Sequence, residues 1–166
     1  MDEDFHARYS AHSKTYRYRI CHGGSCSVFE ERYVWQLPKI LDIKAMRKAA
    51  ALFLGEHDFV NFSVSGGSVK TTVRNISRLE VIEPEEEGLY KHDYFGEPLL
   101  IEVSANGFLY KMVRLITASL VAVGLGRLDE ETLRSYVDCK AELSLPPAPA
   151  KGLMMLYVDY DVPSSK

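Results

Sequence analysis

The stretch Leu99-Leu100-Ile101-Glu102-Val103-Ser104-Ala105-Asn106-Gly107-Phe108-Leu109-Tyr110-Lys111-Met112-Val113-Arg114, continuing through an apolar tract to Gly126, decides the fold class of this chain. Leu99 to Ser104 reads as a strand, and Phe108 to Leu125 reads as a helix that follows it directly. On a helical wheel Phe108, Met112, Leu115, Ile116, Leu120 and Val123 cluster on one face. Leu109, Val113 and Val121 fall elsewhere, so the helix is apolar almost all round, as a helix buried in a core is. Lys111 and Arg114 are its only firm cations. Three residues apart, they occupy neighbouring positions on a helix surface. Arg114 lies off the main apolar stripe, which leaves two readings open. Either it fills the one gap that reaches solvent, or it lines a cleft and pairs with a carboxylate or phosphate.

Working outward, Arg74 to Ile82 is a strand and the natural antiparallel hairpin partner of Leu99 to Ser104, the two being separated by an acidic insert that includes Pro84-Glu85-Glu86-Glu87-Gly88. Val64 to Thr72 is small and polar, a surface loop. Upstream, Asp42 can cap a helix through Leu54, with Ile43, Met46, Ala50 and Phe53 at helical spacing and Gly55 as its stop. Lys14 to Cys21 alternates cleanly, with Tyr16, Tyr18 and Ile20 on one face and Thr15, Arg17 and Arg19 on the other. Val28 to Leu37 is a second extended piece that ends at Pro38. Beyond Gly126 come a short helix from Asp129 to Cys139, a loop containing Pro146, Pro147 and Pro149, and a last strand from Leu153 to Tyr160. No internal repeat or linker is visible. The expectation is one α+β domain over residues 1–166, with a mixed or antiparallel sheet carrying helices on one face. An open face presenting Tyr and Arg is a plausible RNA platform.

Composition narrows the function classes. With 166 residues, 46% hydrophobic, there is material for one sizeable core. The net charge of −3 requires that any nucleic-acid contact come from a local basic surface. That surface is the amino-terminal segment, where Arg8, Lys14, Arg17 and Arg19 occur between Phe5 and His22 without a carboxylate. Three cysteines argue against a secreted disulfide framework and for a reducing compartment. Cys21, His22 and Cys26 lack a second pair to complete a zinc site, so no metal is expected. The chain opens without an apolar signal, and Leu115 to Leu125 is too short to span a bilayer. The reading is a soluble intracellular protein with no membrane association, with cytoplasm, nucleus and mitochondrion undistinguished.

Six segments, in order, resemble the TruA family of tRNA pseudouridine synthases. Phe5-His6-Ala7-Arg8-Tyr9-Ser10-Ala11 and Lys14-Thr15-Tyr16-Arg17-Tyr18 are similar to its F-H-A-R-F/Y-S-A and K/R-x-Y-x-Y segments. Gly55-Glu56-His57-Asp58-Phe59 with Asn61-Phe62 resembles G-x-H-D-F-x-x-F, and Thr72-Val73-Arg74-Asn75-Ile76 resembles T-x-R-x-I. Phe108-Leu109-Tyr110-Lys111-Met112-Val113-Arg114 is similar to F-L-x-x-M-V-R, and Gly152-Leu153 through Val158-Asp159-Tyr160 resembles the closing G-L-x-L-x-x-V-x-Y strand.

The resemblance implies the C-terminal half of a pseudouridine synthase fold and the isomerisation of uridine to pseudouridine in tRNA, without cofactor or metal. It implies an aspartate that acts on the nucleoside, a Tyr that stacks on the target base, carried over to Tyr16, and an Arg that pairs with the aspartate, carried over to Arg114. Arg8, Lys14, Arg17 and Lys111 are expected to contact phosphates because they flank these two, and Lys70 and Arg74 could extend that surface. The family's G-R-T-D motif, which bears the aspartate, occurs nowhere in this sequence. The expectation is therefore half of an active site, inactive alone, with tRNA and the upstream half of the same enzyme as partners and a homodimer as a further possibility. The alternative is a non-catalytic RNA-binding or assembly protein that retains the fold.

Overall fold

The computed structural model describes residues 7, 10–24, 29–64, 70–83 and 98–160. Among these, the chain runs through β1 (Ala11–His22), β2 (Trp35–Leu37), α1 (Ile43–Ala50), β3 (Gly55–Asp58), β4 (Val73–Ile82), β5 (Leu99–Ala105), α2 (Met112–Gly124), α3 (Glu130–Val137) and β6 (Leu153–Tyr160). The strands form one mixed sheet in the order β2-β1-β5-β4-β3, with β6 also paired to β1. β6 runs antiparallel along Ala11 to Tyr18, while β2 runs parallel along Ile20 to His22. All other pairings are antiparallel, including the expected β4–β5 hairpin.

The alternation in β1 sets the two faces. Tyr18 and Ile20 are fully buried and stand opposite Ile101 and Leu99 of β5. These residues join Leu79 and Val81 of β4 in one core with Met46 of α1, Leu120 of α2 and Leu133 of α3. The helices thus cover one face of the sheet, as expected of an α+β fold. The opposite face carries Thr15, Arg17 and Arg19 of β1 against Ser104, Glu102 and Leu100 of β5.

Helix ends follow side-chain chemistry. The carboxylates of Asp42 and Asp129 cap α1 and α3, accepting from the backbone N–H of Ala45 at 2.9 Å and Thr132 at 2.7 Å. α1 ends earlier than the expected Leu54, because Ala51 to Phe53 tighten into a 3-10 turn before Gly55 takes a left-handed φ of 92°. α2 differs more. It begins at Met112, not Phe108, because Lys111 holds a left-handed φ of 63° and interrupts the helical path. Lys111 and Arg114 therefore do not share a helix surface.

Two strands also depart from expectation. Of the expected piece from Val28 to Leu37, Val28 lies outside the described residues, and from 29 to 37 only Trp35–Leu37 is strand, since β6 occupies the rest of that edge of β1 and Glu31–Tyr33 form a helical turn. β3 has no apolar alternation in its Gly-Glu-His-Asp sequence and exists through its pairing with β4. Of the expected loop from Val64 to Thr72, residues 65–69 lie outside the described residues, as do Arg8 and the acidic insert. Cys21 is disulfide-bonded, so the thiols are not all free as the cysteine count implied. Cys139 is free. Among the described residues no helix is long and apolar enough to cross a membrane.

Candidate active site

The sequence motifs converge at the start of α2. Asn75 and Asn106 close the open end of the β4–β5 hairpin. Asn106 N–H donates to the Asn75 carbonyl at 3.2 Å, and Asn106 Oδ1 accepts from Asn75 N–H at 3.0 Å. Gly107 follows, and a Cβ there would stand 3.5 Å from Arg74 Nε, so the Arg74 side chain lies against this turn. The Tyr110 carbonyl accepts from Val64 N–H at 3.2 Å, which ties the turn to the segment after Phe62.

Tyr16 lies on the helix-covered face of β1, opposite Val103 of β5 and Met155 of β6. It is half-buried, and its ring meets Phe108 edge-on with centroids 5.1 Å apart, a favourable aromatic geometry. Two residues along the same face, Tyr18 is fully buried and its hydroxyl donates to the Pro149 carbonyl at 2.5 Å. Burial pushes that hydroxyl well above its ordinary pKa, and the nearby Arg114 charge pulls the other way by less.

Arg114 is the single residue of α2 that is not buried. Its Nε donates to the Ala148 carbonyl at 2.6 Å, and Ala148 N–H donates to the Arg114 carbonyl at 3.1 Å. Consecutive carbonyls of the proline-rich loop thus hold Arg114 and Tyr18. Among the described residues no carboxylate lies within ion-pair distance of Arg114, and its Nη groups are not buried without partners. A guanidinium whose Nε is taken by a carbonyl keeps its Nη1/Nη2 fork for an anion met end-on.

The expected phosphate contacts divide. Lys14 lies on the same face of β1 as Tyr16, opposite Ala105 and Val158. Lys111 sits three residues before Arg114, its ammonium 5.1 Å from the Tyr110 ring centroid. Arg17 lies on the opposite face, where its Nε donates to Glu102 Oε1 at 2.8 Å. Arg78 reaches the other oxygen of that carboxylate at 3.3 Å and also pairs with Glu80 at 2.6 Å, while Arg19 pairs with Glu30. On the helix-free face these arginines are matched to carboxylates, and Tyr16 and Tyr18 are not there. The structure therefore separates Arg17 from Tyr16 and Arg114, and the expected Tyr-and-Arg platform does not form from β1.

Sequence reasoning missed Tyr18, Ala148 and Pro149 as parts of this site. Tyr18 carried a signal, its place two residues from Tyr16 on one strand face, but a backbone carbonyl carries none. Other motif residues hold the scaffold. Asn61 Nδ2 donates to the Tyr136 and Ala141 carbonyls at 2.9 and 2.8 Å, which clamps the end of α3. Gly152 packs against Tyr18, where a Cβ would come within 2.6 Å of its ring.

Comparison with known proteins gives these features a common setting. Residues 49–161 match the family model described as tRNA pseudouridine synthase. The chain is 42% identical over 162 residues to tRNA pseudouridine synthase A 2 of Clostridium perfringens, covering 95% of this chain and 61% of that protein. It is 37% identical over 160 residues to tRNA pseudouridine synthase A 1 of Bacillus cereus, with 96% and 60% covered, and 36% identical over 163 residues to tRNA pseudouridine synthase A of Limosilactobacillus fermentum, with 98% and 60% covered. The chain thus spans about three fifths of the length of the curated relatives it matches. Because the family model takes in more than half of the sequence, from the last turn of α1 to the end of β6, the chain belongs to the tRNA pseudouridine synthase family.

Proposed function

We propose that this chain supplies Tyr16 and Arg114 to an active site that isomerises uridine to pseudouridine in tRNA. In this reaction the glycosidic C–N bond breaks, the uracil turns, and a C–C bond to the same sugar replaces it, so nothing is added or lost. Tyr16 gives an extruded uracil a flat apolar surface, buttressed by Phe108. Arg114 pairs with the aspartate that acts on the nucleoside and keeps it ionised. The family resemblance implies that this aspartate stands in a G-R-T-D motif, which this sequence lacks, so the reading assigns it to an upstream half of the same enzyme. The observation that carries the reading is the isolation of Arg114, the one residue of α2 that is not buried, held by a carbonyl rather than a carboxylate.

Lys14 and Lys111 are proposed phosphate contacts. The left-handed backbone of Lys111 supports a role for its side chain, because a lysine there costs about 1 kcal/mol that glycine would not. Arg8 lies outside the described residues and is proposed on sequence position alone. Arg17 is better read as the mate of Glu102. The one sheet and one principal core support treating residues 1–166 as a single domain.

The test incubates unmodified tRNA with this chain alone and with the complete enzyme, meaning this chain joined to the portion of its relatives' length that it does not span. Pseudouridine is read by carbodiimide treatment and primer extension. The expected result is product from the complete enzyme only, largely lost in Arg114→Ala and Tyr16→Leu. Product from the chain alone, or full activity in both variants, overturns the assignment.

A further inference from the structure

Arg114 is useful as an anion receptor only if its guanidinium plane is fixed, and α2 does not fix it alone. A side chain in the first turn of a helix can swing through several rotamers. The restraint comes from Ala148, which both accepts from Arg114 Nε at 2.6 Å and donates its N–H to the Arg114 carbonyl at 3.1 Å. The position of Ala148 then matters; its methyl is buried in the core, while its loop neighbours line an open cavity. A cavity of about 580 Å³ lies against this loop, lined by Leu145, Pro146, Pro147, Ala148 and Pro149 on one side and by Val121 among others of α2. Packing of the Ala148 methyl restrains the loop on the core side, but the cavity leaves Pro146, Pro147 and Pro149 with less packing on the other.

A polar tie at the adjacent residue completes the restraint. The Pro149 carbonyl accepts from the Tyr18 hydroxyl at 2.5 Å, and Tyr18 is fully buried on a strand bonded on both edges. The Tyr18 ring is itself fixed, with Gly152 close against one side and Trp35 edge-on at 6.3 Å. The hydroxyl stays protonated, and so remains a donor, because burial disfavours the tyrosinate.

We infer that Tyr18 is a positioning residue for the proposed reaction, acting through the Pro149 and Ala148 carbonyls to hold the Arg114 guanidinium in its receiving orientation. This rests on the reading of Arg114 given above. Tyr18 touches neither base nor phosphate, and its role is to set where the positive charge points.

The test is a double-mutant cycle in the complete enzyme. Tyr18→Phe keeps the ring that packs on Gly152 and removes only the donor, so kcat should fall about tenfold while KM for tRNA changes less than about twofold. Arg114→Lys keeps a charge but cannot make the Nε bond. In that background Tyr18→Phe should cost less than about twofold further, because the two residues act as one unit. Equal losses in both backgrounds, or an unchanged kcat in Tyr18→Phe, overturn the inference while leaving the role of Arg114 standing. Full activity in Arg114→Lys overturns that role and this inference with it. Should Tyr18→Phe fail to fold, solvent exchange of the Arg114 Nε–H in the unmutated protein, assigned by its loss in Arg114→Lys, decides the matter. Protection is expected, and exchange as fast as that of an exposed arginine overturns the inference.

Discussion

Arg17 and Arg114 are the same side chain on opposite faces of one sheet, and their partners differ. Arg17 meets the carboxylate of Glu102, which is 6% exposed and is also reached by Arg78. Arg114 meets a carbonyl, and among the described residues it has no carboxylate within ion-pair distance. An arginine with an internal anion completes the scaffold, whereas one steadied by a neutral acceptor keeps its charge for a partner that arrives. Proximity of both residues to Tyr16 in sequence or motif would have grouped them, but the strand pleat and the helix-covered face divide them.

The comparison breaks most readily at Arg114. In the complete enzyme Arg114→Ala is expected to lower kcat/KM for pseudouridine formation by about 10²–10³, with little change in thermal stability. Arg17→Ala should do the reverse, leaving activity within about threefold and lowering stability by about 1–3 kcal/mol. That loss is smaller than for a fully buried pair because the Arg17 side chain is 32% exposed and the Glu102 carboxylate keeps Arg78. A urea midpoint measured beside the primer-extension assay checks both variants. An Arg17 variant that loses activity but not stability would undo the contrast.

Lys111 sharpens the distinction between charge and backbone. Relieving its left-handed strain by Lys111→Gly gains about 1 kcal/mol, offset by the flexibility of glycine in the unfolded chain, so stability should move by less than about 0.5 kcal/mol. Affinity for tRNA should fall and the salt dependence of binding should drop by about one phosphate contact. Unchanged binding across a salt series would leave Lys111 without a role.

The smallest effect lies away from the site. His22 Nδ1 accepts from Leu41 N–H at 3.3 Å, and burial holds its pKa below 6.5, with Glu83 opposing. The fold favours the neutral ring, so this contribution is present above pH 6.5 and is lost as the pH falls through the lowered folded value. A shallow decline in stability below pH 6.5 is expected, reduced in His22→Asn, whose Oδ1 can take the same bond without titrating.

Much of the sheet was legible because its strands carry period-two alternation. Tyr16, Tyr18 and Ile20 fell on one face of β1, β4 and β5 paired as a hairpin, and β6 ran from Leu153 to Tyr160 as expected. Capping chemistry located Asp42, whereas Asp129, read as the first residue of its helix, proves to be the cap just before it. Three features had no such signal. The start of α2 is set by a φ at Lys111 that a lysine side chain does not announce, β3 is made by its partner, and β2 is shortened by a strand more than a hundred residues later. At the site, motif resemblance pointed to Tyr16 and Arg114, but the lock on Arg114 uses the main chain of Ala148, 34 residues away.

The position of β1 also has a consequence in time. It is the first strand of the described chain, yet it is bonded to β5 on one edge and β6 on the other, with Ala11 opposite Tyr160. During synthesis β1 must wait for strands made about eighty or more residues later, its backbone donors and acceptors largely unmatched and its apolar side chains uncovered. Closing so long a loop is slow. Capture of β1 between two late strands is therefore the expected bottleneck of folding, and the interval before it is when a nascent chain is most exposed to aggregation and most in need of a chaperone.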